Sequence, residues 1–263
     1  AQILVGNVQS RHDDVLMYCD SALFYEASNS LDAFGNVRMN QGDTLSLAGD
    51  VLFYNGLDKL ARVRNNVVLV HGKTTLYTDS LDYDRLYNVG YFFEGGHLVT
   101  QDNDMTSDWG ENRPETKVAV FNYNVHLVSP APPQKARTTL LTDTLYYNTV
   151  TSVANARGPS TIDDGGCHIY TELGYMNSKN NDLTLLNRSE MSNNGKKLIG
   201  DSIVWNSVDS IGEAFGNVVY TDVLNKNAMT GNYCYYDDKT GYSLGTDSAC
   251  ILDFSQGPDT MYM

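Results

Sequence analysis

A six-residue pattern, Asp-x-Leu-x-Tyr-Asn, returns along this chain at nearly constant intervals. Clear copies, with conservative exchanges, occupy residues 50–55, 79–84, 143–148, 201–206 and 232–237. More divergent copies begin at Asp20, Asp108 and Glu172. The steps between successive first residues lie between 29 and 35. A period of this length, held through 263 residues, marks a repeat architecture. The sequence therefore predicts about eight similar units of about 30 residues, each contacting chiefly its neighbours.

A second element follows the first at a fixed offset of fifteen residues. It reads Gly35-Asn36-Val37, Asn65-Asn66-Val67 and Gly216-Asn217-Val218 in three units, and Gly158 holds the same place in another. Both segments are rich in β-branched and aromatic residues, and glycine, asparagine and aspartate lie between them, as is typical of strands joined by turns. No window sustains an apolar period of 3.6 residues. We therefore predict an all-β fold of antiparallel strands, built as one elongated domain over residues 1–263.

The Asp, Leu and Tyr positions of each copy are expected to share one face, because side chains of a strand point alternately to opposite faces. In the second segment, the same face carries the valine and small residues that allow a strand to bend. An apolar face repeated in every unit can close as a filled core or stay splayed as a lipid-binding groove. Both alternatives remain open at this stage. The candidate groove-lining residues are Leu52, Tyr54, Leu81, Tyr83, Leu145, Tyr147, Ile203, Trp205, Val37, Val67 and Val218.

One stretch, at about residues 101–138, interrupts the regular spacing. It contains Pro130, Pro132 and Pro133, and it coincides with the longest step between copies, 35 residues. We interpret it as an irregular pair of lateral loops, with a domain boundary as the alternative.

Charge and hydropathy exclude two classes of function. The formal net charge is −14 and lysine and arginine occur singly, so the basic stripe that a nucleic-acid-binding protein needs is missing. The sequence contains no run of 18 apolar residues, so it predicts no membrane-spanning helix. The first residue is Ala1 rather than methionine, which suits an exported protein whose signal peptide has been removed. We therefore expect a periplasmic or outer-membrane-associated protein.

The chemistry-bearing side chains do not form a recognisable active site or metal site. The repeated aspartates could form a metal or catalytic ladder, but we interpret them as turn residues that enter each strand and bond to backbone N–H groups. A polysaccharide-cleaving β-helix would need acids and bases clustered on neighbouring rungs, and no such cluster can be assembled. We expect no enzymatic activity, no cofactor and no metal. We interpret the four cysteines, of which Cys234 replaces a repeat leucine, as small buried apolar residues rather than disulfide partners; they are Cys19, Cys167, Cys234 and Cys250.

The pairing of a small-residue-Asp-x-Leu-x-Tyr segment with Gly-Asn-Val resembles the OstA-like (LptA) family of lipopolysaccharide-transport jelly-roll proteins, which includes the N-terminal domain of LptD. The matching residues are Leu47 to Tyr54, Leu198 to Asp201 and the two Gly-Asn-Val triplets at 35–37 and 216–218. The resemblance implies long antiparallel strands bent into a V, a β-taco or semi-closed jelly roll, whose apolar interior takes the acyl chains of lipopolysaccharide. It also implies open edge strands through which such proteins join head to tail.

On this basis we expect a non-enzymatic lipid-binding bridge protein. Its partners would be lipopolysaccharide or a related glycolipid and other transport components, joined by strand addition, with head-to-tail self-association. The candidate edge contacts are Ile3, Leu4 and Val5 at one end and Ile251, Leu252 and Phe254 at the other. The alternative is a cell-envelope scaffold with a filled core, which binds protein or glycan on an outer face that carries Tyr146, Tyr233 and Tyr235.

Overall fold

The computed structural model describes residues 1–12, 15–43, 45–101, 103–113, 115–129, 137–255 and 261–262. The chain divides into two compact units, Ala1–Val125 and His126–Met263, and each is described by itself. Most of the described residues lie in β-strands, and a short 3₁₀ turn at Glu26–Ser28 is the one helical element among them. The predicted all-β class, made of consecutive antiparallel strands, is confirmed.

The first unit is a succession of antiparallel strands in which β1 to β6 each pair with the next. Two short strands then share the edge of β6: β7 pairs with its C-terminal end and β8 with its N-terminal half. Strand β8 pairs with β9, and β10 pairs with both β7 and β11. The strands are β1 Gln2–His12, β2 Val15–Tyr25, β3 Ser30–Gln41, β4 Leu45–Asn55, β5 Leu60–His71, β6 Thr74–Asp84, β7 Val89–Phe92, β8 Gly96–Val99, β9 Asp104–Ser107, β10 Trp109–Arg113 and β11 Val118–Ser129, which crosses the unit boundary.

The second unit repeats the same plan. Strands β12 to β18 pair consecutively and antiparallel. Strand β18 then pairs with β19 through its C-terminal half and with β20 through its N-terminal half, and β20 pairs with β21. The strands are β12 Thr138–Asn148, β13 Val153–Asp164, β14 Cys167–Asn177, β15 Leu183–Asn193, β16 Lys196–Asn206, β17 Ile211–Asp222, β18 Asn227–Asp237, β19 Tyr242–Thr246, β20 Cys250–Asp253 and β21 Met261–Tyr262.

The prediction of an irregular region at 101–138 is wrong for most of that stretch. Strands β9, β10 and β11 lie within it. The repeat copy at Asp108 matches the pattern poorly, but the strands around it still pair in register with their neighbours. The three prolines fall at 130–136, outside the described residues. The boundary between the two units lies inside β11, at Val125.

Gly-Asn-Val marks a β-bulge in the middle of a strand. Strand β3 has 12 residues and its partners β2 and β4 have 11, and the pairing register between β3 and β4 shifts between Phe34 and Val37. The extra residue is accommodated because Gly35 and Asn36 have left-handed backbone angles, with φ of 73° and 47°. Both residues are left-handed at the matching pairs Asn65-Asn66, Tyr123-Asn124, Asn187-Arg188 and Gly216-Asn217. Each bulge kinks its strand at the same level of the sheet.

The repeated aspartates face these bulges, so the prediction that they enter strands as turn residues is wrong. Asp20 lies in the middle of β2, and its Oδ2 accepts a hydrogen bond of 2.8 Å from Asn36 Nδ2. The same aspartate–asparagine bond joins Asp50 to Asn66 at 2.8 Å, Asp108 to Asn124 at 2.6 Å and Asp201 to Asn217 at 2.7 Å. The acids therefore brace the corner at which the strands bend.

The corner also breaks the predicted alternation of side chains. Thr142 and Leu145 are both buried, whereas Asp143 between them is exposed and Thr144 is half-buried. Two consecutive residues turn outward at the bend, so the aspartate and the leucine of each copy lie on opposite faces instead of sharing one. The charged groups of the repeat are thereby kept out of the apolar interior.

Candidate functional site

The repeat leucines form continuous rows of directly paired side chains on the inner face of each unit. In the first unit the row runs Ala22, Ala33, Leu52, Val63, Leu81 across five neighbouring strands. All five are 0–4% exposed. In the second unit the corresponding row is Leu145, Ala156, Gly174, Leu185, Ile203, Ala214 and Cys234. These rows are the apolar interior that the repeat encodes.

A second inner row, on the other side of the corner, is one that the sequence reasoning missed. In the first unit it pairs Met17, Met39, Leu47, Leu69, Leu76, Leu98 and Met105. A signal for it exists, because every repeat copy has a large apolar residue three positions before its acidic or amide residue. Those positions are Met17, Leu47, Leu76, Met105, Leu140, Ile169, Leu198 and Met229. The full repeat is therefore apolar-x-x-Asp-x-Leu-x-Tyr. Its first apolar residue and its leucine both face inward, and the aspartate between them faces outward.

The predicted lining residues fall into a buried set and a rim. Among the buried residues, Leu145 is 0%, Val67, Ile203 and Val218 are 1%, and Tyr147 and Leu81 are 4% exposed; Leu52 and Val37 belong to the same set. The rim consists of Tyr54 and Trp205, which are half-buried, and Tyr83, which is 36% exposed. In this structure the row of repeat leucines is closed by its own side chains, whereas the second inner row is only half-buried at Met39, Leu47, Leu69 and Leu98. The aromatic residues at the turn end of the strands also reach solvent.

The rim tyrosines are held by polar neighbours. The Arg85 guanidinium lies 6.0 Å from the centre of the Tyr54 ring, a cation–π contact. The Tyr83 hydroxyl donates a hydrogen bond to Asn88 Oδ1. Burial raises the pKa of Tyr83, so this hydroxyl stays protonated and remains a donor at neutral pH.

Hydroxyl groups interrupt the apolar interior at the corner of the second unit. Thr142 and Ser160 share a buried hydrogen bond of 2.8 Å, and Thr171 and Ser189 share another of 2.8 Å. These groups also bond backbone carbonyls at the bulge, such as the 2.7 Å bond from Ser160 Oγ to the Gly158 carbonyl. Buried polar groups are tolerated only when paired in this way.

The predicted edge residues at the N-terminal end are strongly exposed. Ile3 is 71%, Leu4 is 42% and Val5 is 79% exposed, and β1 pairs with β2 alone among the described strands. A strand paired on one side presents a row of unpaired backbone groups on the other. The segment from Ala1 to Asn7 carries no charged side chain and no proline, two of the features that protect such an edge, although the pairing register of β1 shifts between Val5 and Val8.

The C-terminal end is arranged differently. Ile251 is 43% and Phe254 is 37% exposed, whereas Leu252 is half-buried. Leu252 and Asp253 pair with Tyr262 and Met261 of β21, so the chain itself covers part of this edge. Ile251 pairs inward with Met229 and continues the second inner row. Phe254 follows β20 and lies outside any strand.

The four cysteines are all described and each has a free thiol. Cys19 and Cys234 are buried at repeat positions, and burial raises the pKa of both thiols. Burial and the nearby Asp164 and Asp163 carboxylates raise the pKa of Cys167. A raised pKa keeps the thiol protonated and unreactive. Within the part of the chain that the structure describes, no group of three or more His, Cys, Asp or Glu side chains could hold a metal ion, and no helix has the length and apolarity to cross a membrane.

Comparison with known proteins decides the family. A family model described as OstA-like protein matches residues 1–132, half of the 263-residue chain. The chain belongs to the OstA-like family. A second model, described as lipopolysaccharide-assembly, LptC-related, matches residues 89–193 of this OstA-like chain.

Other comparisons add less. Among solved structures, the OstA-like chain is similar to LptH of Pseudomonas aeruginosa, the LptA-homologous periplasmic component of the lipopolysaccharide transport device of that organism. That match has 14% identity and a TM-score of 0.28, and it covers 53% of this chain and 79% of LptH. No curated protein matches the chain. The fold class therefore rests on the strands themselves and on the family model.

Proposed function

We propose that this OstA-like protein is a non-enzymatic carrier or bridge of the lipopolysaccharide-transport type. It acts in the periplasm or at the outer membrane, where it holds acyl chains along its inner rows and joins partners through its terminal strands. The observation that carries the proposal is the pair of inner rows, which are apolar in every repeat and free of the charged groups that the corner turns outward. The two family descriptions, OstA-like and lipopolysaccharide-assembly, support lipopolysaccharide as the class of ligand.

Loading along the row of repeat leucines requires the inner faces of a unit to separate, because Leu52, Leu81 and Leu145 are 0–4% exposed. An acyl chain would then replace side-chain contacts with contacts of the same chemistry. Sequestering about 14 methylenes from water contributes roughly 11 kcal/mol at about 0.8 kcal/mol each. The rim is where the interior meets solvent and where an acyl chain would enter; it consists of Tyr54 and Tyr83 in the first unit and of Trp205 in the second.

The terminal strand β1 is the proposed partner site. Its exposed Ile3 and Val5 side chains and the absence of charge or proline before Asn7 suit the addition of a strand from another jelly-roll protein. The C-terminal edge, partly covered by β21, would accept a partner only at the uncovered part of β19 and β20 or after β21 moves.

One observation favours the alternative of a scaffold that binds through its outside. Tyr146, Tyr233 and Tyr235 are half-buried residues of the second unit whose strand neighbours Leu145 and Cys234 point inward. The three tyrosines therefore share the outer face, together with Phe215, which is 39% exposed and lies 5.2 Å from the Tyr233 ring centre. A scaffold would use this aromatic face and leave the interior permanently closed.

Two tyrosines of β6 provide a matched test. Tyr83→Glu places a charge at the rim of the interior, and Tyr77→Glu places the same charge on the outer face, where Tyr77 is 47% exposed. We expect Tyr83→Glu to weaken retention of purified lipopolysaccharide about tenfold or more, a loss of about 1.4 kcal/mol per factor of ten. Tyr77→Glu is expected to bind as the unaltered protein does.

The measurement is co-purification of glycolipid from a Gram-negative host, quantified by mass spectrometry, followed by titration of the delipidated protein. Circular dichroism of both variants checks that they are folded. Equal retention by the two variants, or no retained glycolipid in any sample, would contradict the carrier function and leave the scaffold.

A further inference from the structure

The outer face of the first unit carries a second candidate site, which shares only Tyr54 with the rim of the interior. It is a surface pocket of about 320 Å³, at the lower end of the range for small-molecule sites. Its walls are contributed by the ends of β3, β4 and β5. The lining residues are Ser30, Asp32, Phe53, Tyr54, Asn55 and Arg62.

An aromatic ring at the centre of this pocket lies between a carboxylate and a guanidinium. Phe53 is directly paired with Asp32 on one neighbouring strand and with Arg62 on the other, so each charged residue is offset from it by one strand spacing, about 4.8 Å. Phe53 is 39% exposed, and its ring is held edge-on by Phe34 at 6.0 Å and 81°. The ring is thus an oriented, solvent-accessible apolar surface with polar groups on both sides.

The two charged groups keep free hydrogen-bonding capacity. Asp32 uses Oδ2 to accept a bond of 3.1 Å from the Tyr25 hydroxyl, which leaves Oδ1 as an acceptor. The Arg62 side chain is 51% exposed, and its Nε lies 3.6 Å from Asp82 Oδ2. By contrast, Ser30 and Asn55 are engaged in the adjoining turn, through bonds to the Gly56 and Leu57 backbone N–H groups.

The equal numbers of positive and negative side chains in and beside the pocket favour a neutral ligand. Arg62 and Arg64 face Asp32 and Asp82, and Arg64 Nη2 contacts the buried Asp82 at 2.6 Å. An anion would gain from Arg62 but would be repelled by Asp32 beside it. A polyhydroxylated ring suits the arrangement, because its C–H face packs on an aromatic ring while adjacent hydroxyls donate to a carboxylate and accept from a guanidinium.

We infer that this outer pocket binds a neutral hexose unit of a glycan, with Phe53 as the stacking surface and Asp32 and Arg62 as the hydroxyl-binding groups. The three groups proposed to bind the sugar are separate from the inner rows, since Phe53, Asp32 and Arg62 are paired on the face opposite the buried Leu52. It gives the protein a contact with a sugar on the outside of the same unit.

The test uses maltose, lactose and methyl α-mannoside as probes in saturation-transfer NMR of the intact protein. At least one probe is expected to bind saturably, with the strongest transfer to the ring C–H protons. Phe53→Leu keeps apolar bulk but removes the ring, and Asp32→Asn removes the charge; each is expected to weaken binding at least about fivefold. Tyr77→Leu is the control, since Tyr77 is an aromatic residue that is 47% exposed on the outer face of the same unit but does not line the pocket; it is expected to have no effect.

Several outcomes would overturn the site. They are no saturable binding of any of the three probes, binding unchanged by both Phe53→Leu and Asp32→Asn, an equal loss in Tyr77→Leu, or displacement of the sugar by inorganic phosphate at matched ionic strength. Thermal denaturation of each variant separates a lost site from a lost fold.

Discussion

Leu145→Ala is expected to lower the free energy of unfolding of the second unit by about 3 to 5 kcal/mol. Leu145 is 0% exposed and pairs directly with Ala156 in the inner row. Removing three carbons from a closed interior forfeits their transfer free energy and leaves a cavity that the rigid neighbouring strands fill only in part. Urea unfolding monitored by the fluorescence of Trp205, the tryptophan of the second unit, measures the change.

The same strand supplies the control. Leu141 is 50% exposed on the outer face of β12, so Leu141→Ala is expected to change stability by about 0.5 kcal/mol or less. If the two substitutions destabilised the unit equally, the inner rows would not be the core that the repeat encodes.

Gly35→Ala is expected to destabilise the first unit by about 2 to 3 kcal/mol. The backbone of Gly35 is left-handed at φ 73°, which costs an L-residue about 1–2 kcal/mol. An added Cβ would also lie 3.0 Å from Cγ and 3.1 Å from Cβ of Asp20. Asp20 would have to rotate and give up its bond to Asn36, a loss of about 1 kcal/mol. Trp109 fluorescence reports unfolding of this unit.

Gly72→Ala separates the two causes. Gly72 is also left-handed, at φ 58°, but nothing lies within 4 Å of its added Cβ, so only the backbone strain of about 1–2 kcal/mol applies. A Gly35→Ala variant no less stable than Gly72→Ala would show that the aspartate–asparagine brace contributes nothing. Adding Asp20→Ser to Gly35→Ala is expected to relieve the steric part of the loss.

The repeat made the fold class predictable, because a period near 30 residues with β-rich composition admits few alternatives. The corner was not predictable from alternation alone. Period-two reasoning places Asp50 beside Leu52, yet the strand bends between them and turns the acid outward to Asn66. The second inner row could have been predicted by also comparing the residues that precede the aspartate in each copy, since Leu47 and Leu76 both lie three residues before it.

Closure of the interior and of the C-terminal edge depends on contacts that short motifs do not encode. Tyr147 is 4% exposed and Tyr83 is 36% exposed, although both occupy the tyrosine position of the motif. The difference arises from how neighbouring strands pack over each position. Likewise, the pairing of Leu252 with Tyr262 follows from where the chain returns after β20, and no repeat signal marks it.

Photo-crosslinking at two adjacent residues tests the central claim, that the inner rows receive acyl chains, most directly. Tyr54 lies at the rim of the interior and Phe53 points to the outer face of the same strand. With p-benzoyl-phenylalanine at position 54, irradiation in the presence of lipopolysaccharide is expected to give a protein–glycolipid adduct that cleaves to an acyl-chain fragment. The same label at position 53 is expected to give no acyl adduct. Equal acyl labelling at both positions, or labelling at 53 alone, would contradict the account.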